Sequence, residues 1–243
     1  MAAEPRPAFY ALASGGWRDY VTLLHPPYTL WHLSYVAIGA ALAPSFEAER
    51  LLAALVAFFL GMGVGAHALD ELQGRPLQTR IGTGTLVALA ALSIAGAVGI
   101  GVFAALAWTP WLLPFVAFGA FIVYAYNLEL VGGRFHSHFW FALSWGAFPL
   151  LAGYLVTAER LTLEAGLAAC FAAFFSFAQR QLSTPVRMVR RRVQSVSGTV
   201  RFKDGTEEAI DAETLRRVPE RALQAMSVAV VAMAASLVVL RLD

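Results

Sequence analysis

Long stretches without charged residues constrain this chain more than any other feature of its sequence. Of its 243 residues, 58% are hydrophobic and 14% are charged, whereas a soluble domain carries about 25% charged residues. A helix that crosses a bilayer needs about 20 apolar residues. The charge-free runs cover residues 20–46, 51–69, 81–128, 135–158, 165–179 and 222–240. The third run is long enough for two helices, and the Thr109-Pro110 pair between two tryptophans predicts a turn inside it.

These runs predict an all-α fold, a polytopic membrane bundle of about seven transmembrane helices. The predicted helices cover residues 29–46, 51–70, 83–107, 111–128, 137–157, 162–180 and 222–240. Residues 1–28 are expected to form a cytoplasmic or interfacial segment, 29–192 the bundle, 193–220 a cytoplasmic hairpin insert turning at Asp204-Gly205, and 221–243 the final helix. One cysteine excludes an internal disulfide, and a net charge of +2 argues against nucleic acid as a partner.

The positions of the basic residues predict the orientation of the bundle. With the N-terminus in the cytoplasm, 15 of the 18 Lys and Arg residues fall on the cytoplasmic side, and only Arg50, Arg160 and Arg241 fall on the other. Seven spans then place the C-terminus outside. The high ratio of arginine to lysine, 17 to 1, and the abundant alanine suggest a GC-rich genome, which is consistent with a bacterial inner membrane. The run at residues 190–192 is also interpreted as a topology signal that contacts anionic lipid headgroups.

The end of the second predicted helix carries the densest set of ionisable groups. His67, Asp70 and Glu71 are spaced i, i+3 and i+4, which favours one helical face. Carboxylates suit Mg²⁺, which usually also binds substrate phosphates. The alternative is that the two carboxylates only end the helix in water, although a helix C-terminus disfavours negative charge.

Two further polar clusters end the fourth and sixth predicted helices on the same membrane side. Tyr126 and Asn127 close the fourth, followed by Glu129 and by two histidines, 136 and 138, that diverge in a helix and are interpreted as interfacial. Arg180 and Arg187 close the sixth and could clamp a diphosphate by charge-assisted hydrogen bonds. Positive-inside anchoring is the alternative for these arginines.

These segments resemble the UbiA superfamily of membrane prenyltransferases. Residues 67–77 (His-Ala-Leu-Asp-Glu-Leu-Gln-Gly-Arg-Pro-Leu) look like the family's first Asp-rich motif, and residues 124–154 look like its junction of helices four and five. The place of the second Asp-rich motif holds residues 179–187, which contain no carboxylate. The resemblance implies a UbiA-like bundle and a Mg²⁺-dependent transfer of a prenyl group from a prenyl diphosphate to an acceptor.

The resemblance and the clusters together define the predicted site. Asp70 and Glu71 are expected to act in catalysis and to bind Mg²⁺. The expected substrate-binding residues are His67, Arg75, Tyr126, Asn127, Arg180 and Arg187. The expected ligand is a prenyl diphosphate or another lipid-linked anion within the membrane lipid. Two alternatives stay open: a non-catalytic isoprenoid- or lipid-binding protein of the same fold, and a metal-binding or ion-translocating membrane protein that uses the histidines with the acidic residues.

Overall fold

The computed structural model describes residues 6–242, and helices dominate it. In the core of a bilayer no water is present to pair with the backbone, so an apolar segment there must satisfy its own backbone hydrogen bonds, and a helix does this. The elements in chain order are α1 (Trp17–Leu23), α2 (Pro26–Leu42), α3 (Ala48–Leu72), α4 (Thr83–Ala107), α5 (Leu112–Asn127), the single turn α6 (Leu130–Gly133), α7 (His138–Ala158), α8 (Leu163–Arg192), β1 (Gly198–Arg201), β2 (Glu207–Ile210) and α9 (Ala212–Leu242).

Four of the described helices, α3, α4, α7 and α9, are long and apolar enough to cross a membrane. The protein therefore has the character of a membrane protein. A helix lies in each of the seven predicted segments, but the predicted count of seven spans is not confirmed. The 16 residues of α5 reach about 24 Å, which is less than the hydrocarbon thickness of about 30 Å. Helix α2 has 17 residues. Helix α8 continues for 12 residues past its predicted end at residue 180, and its apolar part is followed by polar helical turns.

Glycines bring α2 and α7 into direct backbone contact. A Cβ atom on Gly39 would lie 2.0 Å from the carbonyl oxygen of Leu150, and one on Gly153 would lie 2.1 Å from that of Val36. No larger residue fits either position without moving a backbone. Gly146 in α7 approaches α8 in the same way. These contacts fix α2, α7 and α8 relative to one another, and all three carry residues of the site described below.

Two helices contain π-helical stretches, Phe59–Ala66 in α3 and Leu143–Ala147 in α7. Such stretches occur often at functional sites, because the extra residue per turn changes the direction of the side chains that follow. The first stretch ends directly before His67, and the second contains Trp145. The apolar periodicity of the sequence does not predict either stretch.

The predicted hairpin insert is present. Strands β1 and β2 pair in antiparallel register, with Arg201 opposite Glu207, and Gly205 adopts a φ of 88° in the turn. The hairpin lies between the long helices α8 and α9. An ion pair between Arg190 and Glu220 joins the C-terminal end of α8 to the N-terminal part of α9.

Candidate functional site

A polar cavity of about 320 Å³ lies at the end of the bundle where α3 and α5 finish and α7 begins. Six of the eight predicted site residues line it. They are His67, Asp70, Tyr126, Asn127, Arg180 and Arg187. They come from three helices, α3, α5 and α8, that are widely separated in the sequence. The fold therefore brings together the three polar clusters that the sequence places at separate helix ends.

The charge around this polar cavity is predominantly positive. Four arginines line it, at positions 180, 187, 191 and 192, against two carboxylates, Asp70 and Glu129. No described residue forms a salt bridge or a hydrogen bond with the Asp70 carboxylate. Among the described side chains, the guanidinium of Arg187 donates a hydrogen bond only to the hydroxyl of Thr184, at 3.4 Å. The cavity thus offers an anionic ligand several uncompensated cationic donors.

Arg180 is nearly buried yet has one polar atom without a partner. Its guanidinium lies 5.6 Å from the ring centre of Tyr126 and 5.2 Å from that of Phe141, and it donates to the Tyr126 hydroxyl. Within residues 6–242, the Nε atom of Arg180 and the Oε1 atom of Gln179 have no hydrogen-bond partner. Buried polar groups are nearly always satisfied. These two neighbouring atoms are therefore available to bind a polar ligand or water.

Histidines form a second polar feature of the cavity, and sequence reasoning identified only His67 of this set as a site residue. His25, His32, His67 and His136 all line it. The rings of His25 and His67 stack with centres 4.0 Å apart. The Nδ1 atoms of His32 and His67 lie 2.7 and 2.9 Å from backbone carbonyl oxygens. Because a carbonyl only accepts, each Nδ1 carries a proton, and each Nε2 is left to accept a hydrogen bond when the ring is neutral.

These histidines and carboxylates do not assemble into a protein-only metal centre. No group of three or more His, Cys, Asp or Glu side chains in the described part of the chain could hold a metal ion. His136 lies 3.7 Å from the Glu129 carboxylate, whereas His138 does not line the cavity and packs near Phe177. The two histidines diverge, but His136 lies in the bend before α7, so the helical spacing is not the reason.

The N-terminal segment covers one side of the cavity, which the sequence does not indicate beyond an interfacial position. Pro7 and Tyr10 line the cavity, and Arg191 in α8 donates to the Pro7 carbonyl at 3.3 Å. The Tyr10 hydroxyl lies 2.9 Å from Nδ1 of His25. Burial beneath this segment lowers the pKa of His25 well below its ordinary value and raises the pKa of Tyr10. His25 is therefore neutral near pH 7.

Two predicted site residues, Glu71 and Arg75, do not line the cavity. The Glu71 side chain is fully buried and accepts hydrogen bonds from the backbone N–H groups of Leu77 and Thr79, both at 2.9 Å, and from the Thr79 hydroxyl at 2.8 Å. Arg75 donates to the Ile81 carbonyl and to the Thr83 hydroxyl. Successive residues of a helix point about 100° apart, so Glu71 turns from Asp70 toward the loop between α3 and α4 and does not join it at the cavity.

Comparison with protein-family models, with curated proteins and with solved structures found no match to this chain. The resemblance to the UbiA superfamily therefore depends on the motifs quoted above.

Proposed function

We propose that this chain is a UbiA-like membrane prenyltransferase that binds a prenyl diphosphate with its head in the polar cavity. The observation that carries the proposal is the meeting of Asp70, Arg180 and Arg187 around one cavity at the end of an apolar bundle. A diphosphate needs several cationic donors, and guanidinium groups bind phosphate oxygens well. The orientation that we propose, with the cavity facing the cytoplasm of a bacterial inner membrane, agrees with the clustering of arginines on that side.

The residues at the cavity can bind one Mg²⁺ ion only together with the phosphate groups of a bound substrate. Asp70 is the carboxylate from α3 that faces the cavity, and Mg²⁺ is commonly bound by one or two carboxylates together with substrate phosphates and water. When bound, Mg²⁺ would draw charge from the departing diphosphate. Arg180 and Arg187 would orient the head group and balance the charge that a second metal site would otherwise balance. The aromatic side chains of Tyr126 and Phe141 beside Arg180 would help to exclude water from the allylic carbon.

A second candidate function, non-catalytic binding of an isoprenoid or a phosphorylated lipid, is favoured by one observation. Glu71, the second carboxylate of the segment that resembles the Asp-rich motif, accepts hydrogen bonds from the loop at Leu77 and Thr79. The arginines alone can hold an anionic head group without any metal. This candidate requires no chemistry beyond recognition.

Turnover and binding of radiolabelled farnesyl diphosphate by purified protein in proteoliposomes separate the two candidates. We expect the parent to release diphosphate only with Mg²⁺ and a suitable acceptor extract, Asp70→Asn to lose turnover by at least about 100-fold, and Arg187→Ala to lose binding by about 10-fold. Arg201→Ala, which removes an exposed hairpin arginine, is the matched control and should behave like the parent. Binding that persists in EDTA without turnover favours the second candidate, and no binding at all would refute both.

A further inference from the structure

The N-terminal segment over the polar cavity has a turn of unusual backbone geometry at its C-terminal end. We call residues 6–16 the cover. Gly15 and Gly16 end it with φ angles of 120° and 61°, a region that favours glycine, and a Cβ atom on either would meet nothing within 4 Å. The buried carboxylate of Asp19 accepts hydrogen bonds from the backbone N–H groups of Gly15 and Arg80, both at 2.9 Å. This end of the cover is therefore fixed to the loop between α3 and α4.

The rest of the cover is held by a small set of contacts. Its buried apolar side chains, Ala8 and Ala11, form a small cluster with Leu77. The N–H of Leu12 donates to the hydroxyl of Thr22 in α1 at 3.0 Å. Regions with few buried apolar contacts open at a lower free energy than the core. The cover can therefore open about its glycine turn while the bundle stays folded.

Other contacts of the cover end on residues of the polar cavity. Nε of Arg191 donates to the Pro7 carbonyl at 3.3 Å, and the Tyr10 hydroxyl lies 2.9 Å from Nδ1 of His25. All four residues line the cavity. Among residues 6–242, Arg191 donates only from Nε, so its two terminal nitrogens are free to donate to an anion in the cavity. One guanidinium can thus hold the cover and a ligand at the same time.

We propose that the cover closes over the head group of the ligand, and that Arg191 couples this closure to the binding of the anion. The inference rests on the proposed function, because the anion is the diphosphate head. The closed form binds the head group more tightly, since Tyr10 and Arg191 then complete the wall of the cavity. Coupling between two equilibria is reciprocal, so the bound head group also holds the cover closed. The head group enters and leaves while the cover is open.

Maleimide labelling of a single cysteine in the full chain, purified in detergent, measures the opening of the cover. The one natural cysteine, Cys170, is exposed and is replaced by alanine throughout. The reporter is Ala11→Cys, because Ala11 is 1% exposed and does not line the cavity. Thr199→Cys, at an exposed position of β1, is the control reporter. The probe is inorganic diphosphate, and sulfate at the same ionic strength controls for charge.

A ligand that binds only the closed form lowers the open fraction by the factor 1 + [L]/Kd. At about ten times its Kd, diphosphate should therefore slow the labelling of Ala11→Cys about tenfold. Labelling of Thr199→Cys should not change, and sulfate should not slow the labelling of Ala11→Cys comparably. Adding Arg191→Gln should remove most of the protection, even when the diphosphate concentration is raised to about ten times the Kd of that variant.

Two substitutions loosen the cover by other means. Thr22→Val removes the acceptor of the Leu12 N–H at a residue that does not line the cavity. Tyr10→Phe removes only the hydroxyl that is bonded to His25. Each should speed the labelling of unliganded Ala11→Cys and the dissociation of radiolabelled diphosphate by about fivefold, which corresponds to one lost hydrogen bond. Thr206→Val, in the hairpin turn, is the matched control and should behave like the parent. Thermal unfolding verifies that each variant is folded.

The outcomes separate the inference from the proposed function. Equal labelling of Ala11→Cys with and without bound diphosphate would overturn the inference and leave the proposed function standing. Undiminished protection in Arg191→Gln, or unchanged diphosphate dissociation in both Thr22→Val and Tyr10→Phe, would do the same. A parent protein that does not bind diphosphate at all would overturn both.

Discussion

Asp70 and Glu71 are adjacent acidic residues for which the structure predicts opposite effects on substitution. Glu71 accepts three hydrogen bonds inside the fold, whereas Asp70 lines the polar cavity. Glu71→Ala should therefore destabilise the protein. Asp70→Asn should lower the turnover of prenyl diphosphate while leaving the fold unchanged.

The magnitude follows from the donors that Glu71 leaves behind. In Glu71→Ala, the N–H groups of Leu77 and Thr79, residues that are 4% and 7% exposed, lose their acceptor. An unsatisfied buried donor costs about 1–3 kcal/mol, so the two together cost roughly 2–6 kcal/mol. For a chain of this size, 1 kcal/mol shifts the unfolding midpoint by about 2–4 °C. We expect a fall of roughly 5–20 °C for Glu71→Ala, and a change within about 2 °C for Asp70→Asn.

Thermal unfolding of the detergent-purified protein, followed by tryptophan fluorescence, measures both effects. Glu71→Gln is the conservative companion, because it retains one acceptor oxygen but turns an amide donor toward a backbone N–H. It should fall between the parent and Glu71→Ala. An unchanged midpoint for Glu71→Ala, or an equal fall for Asp70→Asn, would show that Glu71 does not hold the loop as described.

Two further predictions concern other parts of the fold. Gly153→Ala should lower the unfolding midpoint by several degrees or prevent folding, since its Cβ would lie 2.1 Å from the Val36 carbonyl oxygen. Gly99→Ala, with nothing within 4 Å, should leave the midpoint unchanged or raise it, and equal effects would contradict the account of the α2–α7 contact. The folded-state pKa of His25 lies below its ordinary value, so the unfolded chain binds the extra proton first, and stability should fall as pH drops below about 6.5. The unfolding midpoint should fall less between pH 7.5 and 5.5 in His25→Phe than in the parent. An equal fall in both would contradict the conclusion that His25 is buried in its neutral form.

The fold class was predictable because apolar length and charge position are properties of the sequence itself. Charge-free runs locate the seven longer helices but not α1 or α6, and an Asp-Gly turn between alternating residues locates the hairpin. The count of membrane spans was not predictable in the same way. Helix α5 is apolar throughout yet ends at Asn127 after 16 residues, and α8 continues through Pro185 to Arg192, because packing rather than composition decides where these helices end.

The candidate site was predictable as far as helix ends were known to meet on one side of the bundle. Asp70, Tyr126 and Arg180 reach the same cavity for that reason. The path of a loop is a different matter. Spacing assigns Glu71 to the face of His67 and Asp70. The loop after α3 folds back, however, and its backbone N–H groups donate hydrogen bonds to the Glu71 carboxylate. His25 joins the site through the N-terminal segment that lies over it, and no periodic signal marks that arrangement.

The excess of arginine charge does not by itself distinguish a transferase from a binding protein. Arginines stabilise a diphosphate before and after cleavage, and uniform binding of both states does not accelerate a reaction. The distinction must come from the reacting carbon, which on our proposal lies in the polar cavity beside Tyr126 and Trp145. His32 donates a hydrogen bond from Nδ1 to the carbonyl of Trp145, which leaves Nε2 as the atom that can accept a proton when the ring is neutral. On the proposed function, an acceptor bound beside Trp145 could pass its proton to Nε2 of His32, a role that binding alone does not require.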